Sequence, residues 1–154
     1  MLRDALHRAR PHRADGLALL RTVGSADTAA MTGFLLQAAA RRTPVLLDGV
    51  VPSACALIAR RVVEGAGQWW LAGHRSTEPA QRRALDVLGL EPLLDLGMRL
   101  GEGTGALTAL PLLRSAQRLA AGMGRLADLD LGGGPGTAAA DPAPSEAAVH
   151  RDAT

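Results

Sequence analysis

Three short apolar runs, each flanked by stretches of helical spacing, constrain this chain more than any other feature. They are PVLLDG (44–49), QWWLAGH (68–74) and PLLDLGM (92–98). In the first, Val45, Leu46 and Leu47 are apolar without alternation, as in a strand covered on both faces of a parallel sheet. Around these runs apolar residues recur at intervals of three and four. Ala30, Phe34, Gln37 and Ala38 place one face of a helix that Ser25 or Asp27 caps and that runs to about Arg41. Ala54, Leu57, Ile58 and Val62 form the inward stripe of a second, opened by Pro52 and stopped by Gly65 and Gly67. A third follows Ser76 or Thr77, from Pro79 to Leu88. In the last, Ala109, Leu112, Leu113, Ala116, Leu119, Ala120, Met123 and Leu126 keep helical spacing. Pro111 removes a hydrogen bond there, which predicts a kink or a late start near Leu110.

The order αβαβαβα implies right-handed crossovers and an α/β fold: a three-layer, partial Rossmann-like arrangement with a short parallel sheet flanked by helices. Chain length, 154 residues with 47% hydrophobic content, suits about one domain. That domain is expected over residues 17–131. An arginine-rich basic leader, residues 1–16, precedes it. Residues 132–154, GGGPGTAAADPAPSEAAVHRDAT, offer little apolar surface to offset the entropy of ordering, so a disordered tail is expected.

Net charge is +2, yet the 17 cations are all arginine, which excludes any lysine-based chemistry within this chain. Only Trp69, Trp70 and Phe34 are aromatic. Base-stacking platforms are therefore scarce, and nucleic acid is not an expected partner. Cys55 stands alone inside a helical pattern and reads as a small core residue. No apolar stretch approaches the roughly 20 residues a membrane span needs, and the leader lacks the apolar region of a secretory signal. A cytoplasmic protein without a membrane partner is expected.

Ligands of an open α/β sheet collect outside the carboxyl ends of its strands. Three loops meet there: Asp48-Gly49, His74-Arg75-Ser76 and Arg99 to Thr104. The third, within LGEGTGAL (100–107), resembles a phosphate-cradling glycine loop but carries Glu102 at its centre. A carboxylate repels phosphate, and the Lys-Ser/Thr of a nucleotide-binding loop is missing. Two uses of Glu102 remain. It either complements the positive end of the following helix or projects into the crevice as a base, with Gly101, Gly103 and Gly105 letting a ligand approach the backbone. His74 can simply end its strand, and Ser76 can simply cap the next helix. Ser76 has no glycine elbow and no triad order for nucleophilic work, and Asp48, His74 and Glu102 lack recognisable metal-ligand spacing.

TGFLLQAAARRTPVLLDG, GHRSTEP and LLDLGMRLGEGTGALTALPLL, in this order over about residues 15–128, together resemble the nicotinate-nucleotide:dimethylbenzimidazole phosphoribosyltransferases, specifically their carboxyl-terminal part. The run through MRLGEGTGA is far more discriminating than a lone glycine motif. The resemblance implies phosphoribosyl transfer from nicotinate mononucleotide to 5,6-dimethylbenzimidazole, giving α-ribazole 5′-phosphate and nicotinate for the lower ligand of cobalamin. It implies no metal and no cofactor. Glu102 takes the place of the family's catalytic base, a fitting role because an azole N–H turns acidic as its other nitrogen acquires charge. Gly49 and Ser76 would line the phosphoribosyl site, and Met98 and Leu100 would lie near the aromatic base, with Gly101 and Gly103 beside them. Full-length members are more than twice as long, and their amino-terminal part supplies a further glycine-rich segment and a lysine. Two readings follow: a catalytic segment completed by a complementary amino-terminal chain, or a shortened non-catalytic paralogue that binds ligand or associates with itself or another subunit.

Overall fold

The computed structural model describes residues 2–124; the expected tail and Leu126 lie outside the described residues. Its helices are α1 (Leu2–Ala9), α2 (Gly16–Val23), α3 (Ala26–Ala40), α4 (Val50–Val62), α5 (Pro79–Leu88) and α6 (Thr104–Gly122). Its strands are β1 (Val45–Leu47), β2 (Trp70–His74) and β3 (Pro92–Leu94), with 3-10 turns at Arg10–His12 and Glu64–Trp69. The strands form one parallel sheet in the order β1-β2-β3, pairing Val45 with Trp70, Leu47 with Ala72 and His74 with Leu94. This is the expected α/β fold, a short parallel sheet flanked by helices. Each strand is joined to the next by a helix, so all three carboxyl ends open on one edge.

Local chemistry explains most boundaries. The Ser25 hydroxyl accepts from the Thr28 N–H while the Thr28 hydroxyl accepts from the Ser25 N–H, a reciprocal cap that starts α3. Gly89, at φ +70°, ends α5 in the left-handed region. The leader contains helical segments that its polar sequence did not signal, and the Asp15 carboxylate caps α2 by accepting from the Leu17 and Ala18 amides. Helix α5 is opened by Glu78 without a side-chain cap, and the Ser76 hydroxyl instead accepts from the Glu78 amide just before it. Strand β3 stops at Leu94, short of Met98, but the chain still runs beside β2's exit, with the Thr77 amide donating to the Met98 carbonyl at 3.1 Å.

Core packing corrects the expected helix faces. In α3 the buried residues are Thr32, Leu35 and Ala38, while Phe34 is 61% exposed and Ala30 and Gln37 are also outside. The helix is apolar nearly all round, so spacing alone could not choose the face. In α4 the buried positions are Ser53, Cys55, Ala56 and Ala59; Ala54 is exposed, and Leu57, Ile58 and Val62 are half-buried. Helix α4 packs against α2, α3 and α5, and such close approach selects small side chains at the centre and displaces the larger ones to the flanks. The central cluster joins Leu35, Leu47, Cys55, Ala56, Ala59, Ala66 and Trp70. Burying a leucine such as Leu35 or Leu47 contributes about 1.5–3 kcal/mol. Desolvation pushes the Cys55 thiol above its ordinary pKa, outweighing a lowering hydrogen bond with Thr32, so the residue remains a neutral part of this core.

Helix α6 does not wait for Pro111. It begins at Thr104 and carries the proline inside. On this helix Ala109 is buried and Leu113 half-buried, whereas Leu112 and Leu119 are exposed, as is Met123 just past its end. Among the described residues no helix is long and apolar enough to cross a membrane.

Candidate active site

The reason α6 can start early lies 55 residues upstream. Asp48, the first residue past β1, aims its carboxylate at the open end of α6. Its Oδ2 accepts from the Gly103 amide at 2.9 Å, and its Oδ1 accepts from Gly105 at 2.8 Å and Ala106 at 3.0 Å. A carboxylate that accepts the orphan N–H groups of a helix also complements its positive end. Asp48 is therefore a helix cap delivered from another element. The role of complementing the helix, open to Glu102 on sequence grounds, is filled by Asp48.

Glu102 occupies a different position. Gly101, Glu102 and Gly103 take φ values of +75°, +54° and +85°, so three successive residues lie in the left-handed region. Glycine adopts that conformation freely, but a residue with a Cβ loses about 1–2 kcal/mol there. A Thr104–Gly101 turn closes the loop, with both the amide and the hydroxyl of Thr104 donating to the Gly101 carbonyl. Glu102 itself is exposed, and among the described residues no donor reaches its carboxylate. The loop thus holds an unpaired acid in a costly backbone conformation where glycine would fit better. Such outliers concentrate at functional sites.

Gly105 is required for a separate reason. A Cβ at this position would lie 1.7 Å from Nδ1 of His74, so no other residue allows α6 to approach the end of β2. His74 is fully buried, its Nδ1 3.4 Å from Asp48 Oδ1. The expected strand-ending, packing role of His74 is the one the structure shows. Arg75, also in this loop, turns outward to Asp95 at 3.4 Å.

The three loops border a cleft of about 700 Å³, in the size range of small-molecule sites. Of the residues picked out from sequence, Gly49, Ser76, Leu100, Gly101, Glu102 and Gly103 line it. Met98 does not: it is half-buried, with its carbonyl occupied by the Thr77 amide. Phe34 and Val51 give one wall an apolar character, and Leu100, 69% exposed, extends it. Opposite chemistry comes from Gly49, which begins α4 without any side-chain cap, and from the Ser76 hydroxyl, which accepts from Glu78 and keeps its own proton to donate. Arg99 adds a cation to the lining. The cleft therefore joins an apolar wall, anion-compatible donors and two carboxylates, Glu78 and Glu102, that no donor among the described residues reaches, and of these only Glu102 is held in the left-handed backbone region.

Sequence reasoning passed over Gln81. It is fully buried in a helix whose other polar residues face solvent, so no periodic signal marks it. Its Oε1 accepts from the Ser76 amide at 2.8 Å, and its Nε2 donates to the carbonyls of His74 at 2.9 Å and Asp48 at 3.1 Å. Among the described residues no cluster of three or more His, Cys, Asp or Glu side chains could hold a metal ion.

A phosphoribosyltransferase family model matches residues 1–131, a span that includes the leader. The nicotinate-nucleotide–dimethylbenzimidazole phosphoribosyltransferase of Streptomyces avermitilis is 62% identical over 120 residues, which are 78% of this chain and 32% of that protein. Its counterpart in Streptomyces coelicolor is 58% identical over 127 residues, 82% of this chain and 36% of that protein. A crystal structure of the enzyme from Thermus thermophilus superposes with a TM-score of 0.65 at 43% identity, covering 68% of this chain and 32% of that one. The chain spans about a third of the length of the curated relatives it matches. With the family model, these relatives and the fold in agreement, the chain belongs to the nicotinate-nucleotide–dimethylbenzimidazole phosphoribosyltransferase family.

Proposed function

We propose that this chain supplies the base-bearing part of a site that transfers a phosphoribosyl group from nicotinate mononucleotide to 5,6-dimethylbenzimidazole. One azole nitrogen donates its lone pair to the anomeric carbon. The bond from that carbon to the pyridine nitrogen breaks, and its electron pair leaves with nicotinate. The other azole nitrogen loses its proton to the Glu102 carboxylate, and α-ribazole 5′-phosphate results. The observation that carries this reading is the unpaired Glu102 carboxylate, held in a left-handed backbone on the lining of a largely apolar cleft.

The remaining lining suits the other substrate groups. The uncapped start of α4 at Gly49, the Ser76 hydroxyl and Arg99 suit a phosphate, since backbone amides at a helix start and a hydroxyl donate to an anion while a guanidinium balances its charge. Leu100, Phe34 and Val51 suit a flat apolar base. Gly101 and Gly103 leave the backbone on either side of Glu102 without a side chain, so the base can come close.

Turnover is assigned to an assembly with a complementary amino-terminal portion, consistent with the share of the relatives' length that this chain spans. A second reading, a shortened relative that binds ligand or associates without turnover, draws on the exposed leucines of α6. The deciding experiment follows α-ribazole phosphate by chromatography, with nicotinate mononucleotide and dimethylbenzimidazole as substrates. It uses the purified chain alone and mixed with a separately expressed amino-terminal portion of a relative. Product in either sample supports the transferase reading, and no product in either from folded protein rejects it in favour of the second.

A further inference from the structure

The two halves of the proposed site sit on different parts of the chain, and Gln81 is the residue where they are tied together. Ser76, on the anion-binding side, follows β2; Glu102, on the base side, follows β3; and Asp48, which holds the loop of Glu102 to α6, follows β1. The Gln81 amide touches the backbone of the first and third of these strand exits directly. Its oxygen fixes the Ser76 amide, and its nitrogen fixes the carbonyls of Asp48 and His74. Both amide protons are used, and the side chain is fully buried, so nothing in solvent can substitute for it.

We propose that Gln81 is a positioning residue: it holds Ser76 and, through Asp48, the Glu102 loop in a single register. The chain of contacts is continuous. Gln81 Nε2 binds the Asp48 carbonyl, and the Asp48 carboxylate binds the amides of Gly103, Gly105 and Ala106. Gln81 lines no part of the cleft and touches no substrate. Its hydrogen-bonded route to the Glu102 loop runs through Asp48, and His74, whose carbonyl it also holds, packs against Gly105 beside that route. The kinetic meaning of this clamp rests on the phosphoribosyl-transfer reading, whereas its mechanical meaning does not.

The mechanical part is read by amide hydrogen exchange, followed by NMR, on the full chain. Gln81→Met keeps the side chain's length and removes all three hydrogen bonds. Exchange at Ser76, Gly103, Gly105 and Ala106 is expected to accelerate about tenfold, the size of one buried hydrogen bond, while Ala56 and Ala59 in α4 keep their rates. Unchanged rates at the Gly103, Gly105 and Ala106 amides overturn the proposal, and so does equal acceleration everywhere, which marks a merely structural residue. If Gln81→Met does not fold, Gln81→Glu keeps the acceptor for Ser76 and loses the amide donors, so acceleration is expected at Gly103, Gly105 and Ala106 but not at Ser76, and unchanged rates at those three overturn the proposal.

The kinetic part uses the complemented assembly. There Gln81→Met is expected to lower kcat about tenfold or more while each substrate's KM stays within about threefold, because each half-site persists and only their mutual placement is lost. An active assembly whose kcat ignores the substitution overturns the positioning role. Absence of turnover in the wild-type assembly rejects the phosphoribosyl-transfer reading, and the exchange result then decides the clamp by itself.

Discussion

The loops after β1 and β3 each place a carboxylate beside a glycine, and the two acids meet opposite fates. Asp48 is buried and accepts three backbone N–H groups; Glu102 is exposed and, among the described residues, accepts none. Asp48 sits in ordinary backbone, whereas Glu102 is held at φ +54°. One acid lowers the free energy of the fold by completing a helix end. The other raises it and remains available for chemistry. The same residue class on the same edge of one sheet thus divides into a structural acid and an unpaired one to which the proposed function gives the chemistry, and hydrogen-bond accounting separates them where charge and spacing cannot.

The sharpest way to break this comparison is to neutralise the unpaired acid. Glu102→Gln is expected to lower turnover of a complemented assembly by about 10² to 10⁴, the usual contribution of a general base. Thermal stability should hold within about 0.5 kcal/mol, because no partner of the carboxylate is lost. Steady-state rates and a melting curve on the same preparation check both halves. Undiminished turnover removes Glu102 from the mechanism, and a large stability loss makes it a second structural acid.

Asp48→Ala probes the other side. It strips three charge-assisted hydrogen bonds from the start of α6 and is expected to cost about 3 kcal/mol, measured by denaturant unfolding. The loss should be larger than that of any substitution at Glu102. If the two acids cost the same, the division between them fails.

Much of this architecture was legible before the structure. The strands announced themselves because Val45, Leu46 and Leu47 form an unbroken apolar run between Pro44 and Asp48-Gly49, and because similar runs recur with helix-length separations. The location of the candidate site followed from the parallel sheet, since strand exits must gather on one edge. What could not be read was non-local. The partners of the Asp48 carboxylate lie 55 to 58 positions away, so no window of sequence shows them. Faces of α3 and α4 were ambiguous because small and apolar residues surround both helices, and only packing against neighbours selects Leu35 over Phe34. Gln81 carries no signal in sequence, because a lone glutamine on a largely polar helix breaks no periodicity, and only tertiary structure places it at the junction of two strand exits.

Ser76→Ala sharpens the contrast between the two sides of the cleft. Removing a hydroxyl donor should weaken nicotinate mononucleotide about tenfold, a typical cost for one hydrogen bond to a charged group, while dimethylbenzimidazole binding stays nearly constant. Calorimetric titration of each ligand into the complemented assembly measures both. Equal weakening of the two ligands takes Ser76 out of the anion side, since the Glu78 amide that also uses this hydroxyl would then be relaying a general distortion of the cleft.

The smallest expected effect is also the most specific. Glu102→Gly places the residue that the left-handed region favours at a position flanked by Gly101 and Gly103, both already left-handed. Relief of the Cβ penalty is offset in part by the greater freedom of glycine in the unfolded chain, leaving a net gain in stability of about 0.5–1 kcal/mol. Denaturant midpoints of the two proteins compare this directly. A stabilised but inactive Glu102→Gly would show that the fold maintains this acid against its own stability, whereas a destabilised one would mean that the carboxylate supports the loop and belongs with Asp48 after all. The sign of this small change separates the two acids more cleanly than the size of any larger one, because no structural role predicts that deletion of a side chain makes the protein more stable.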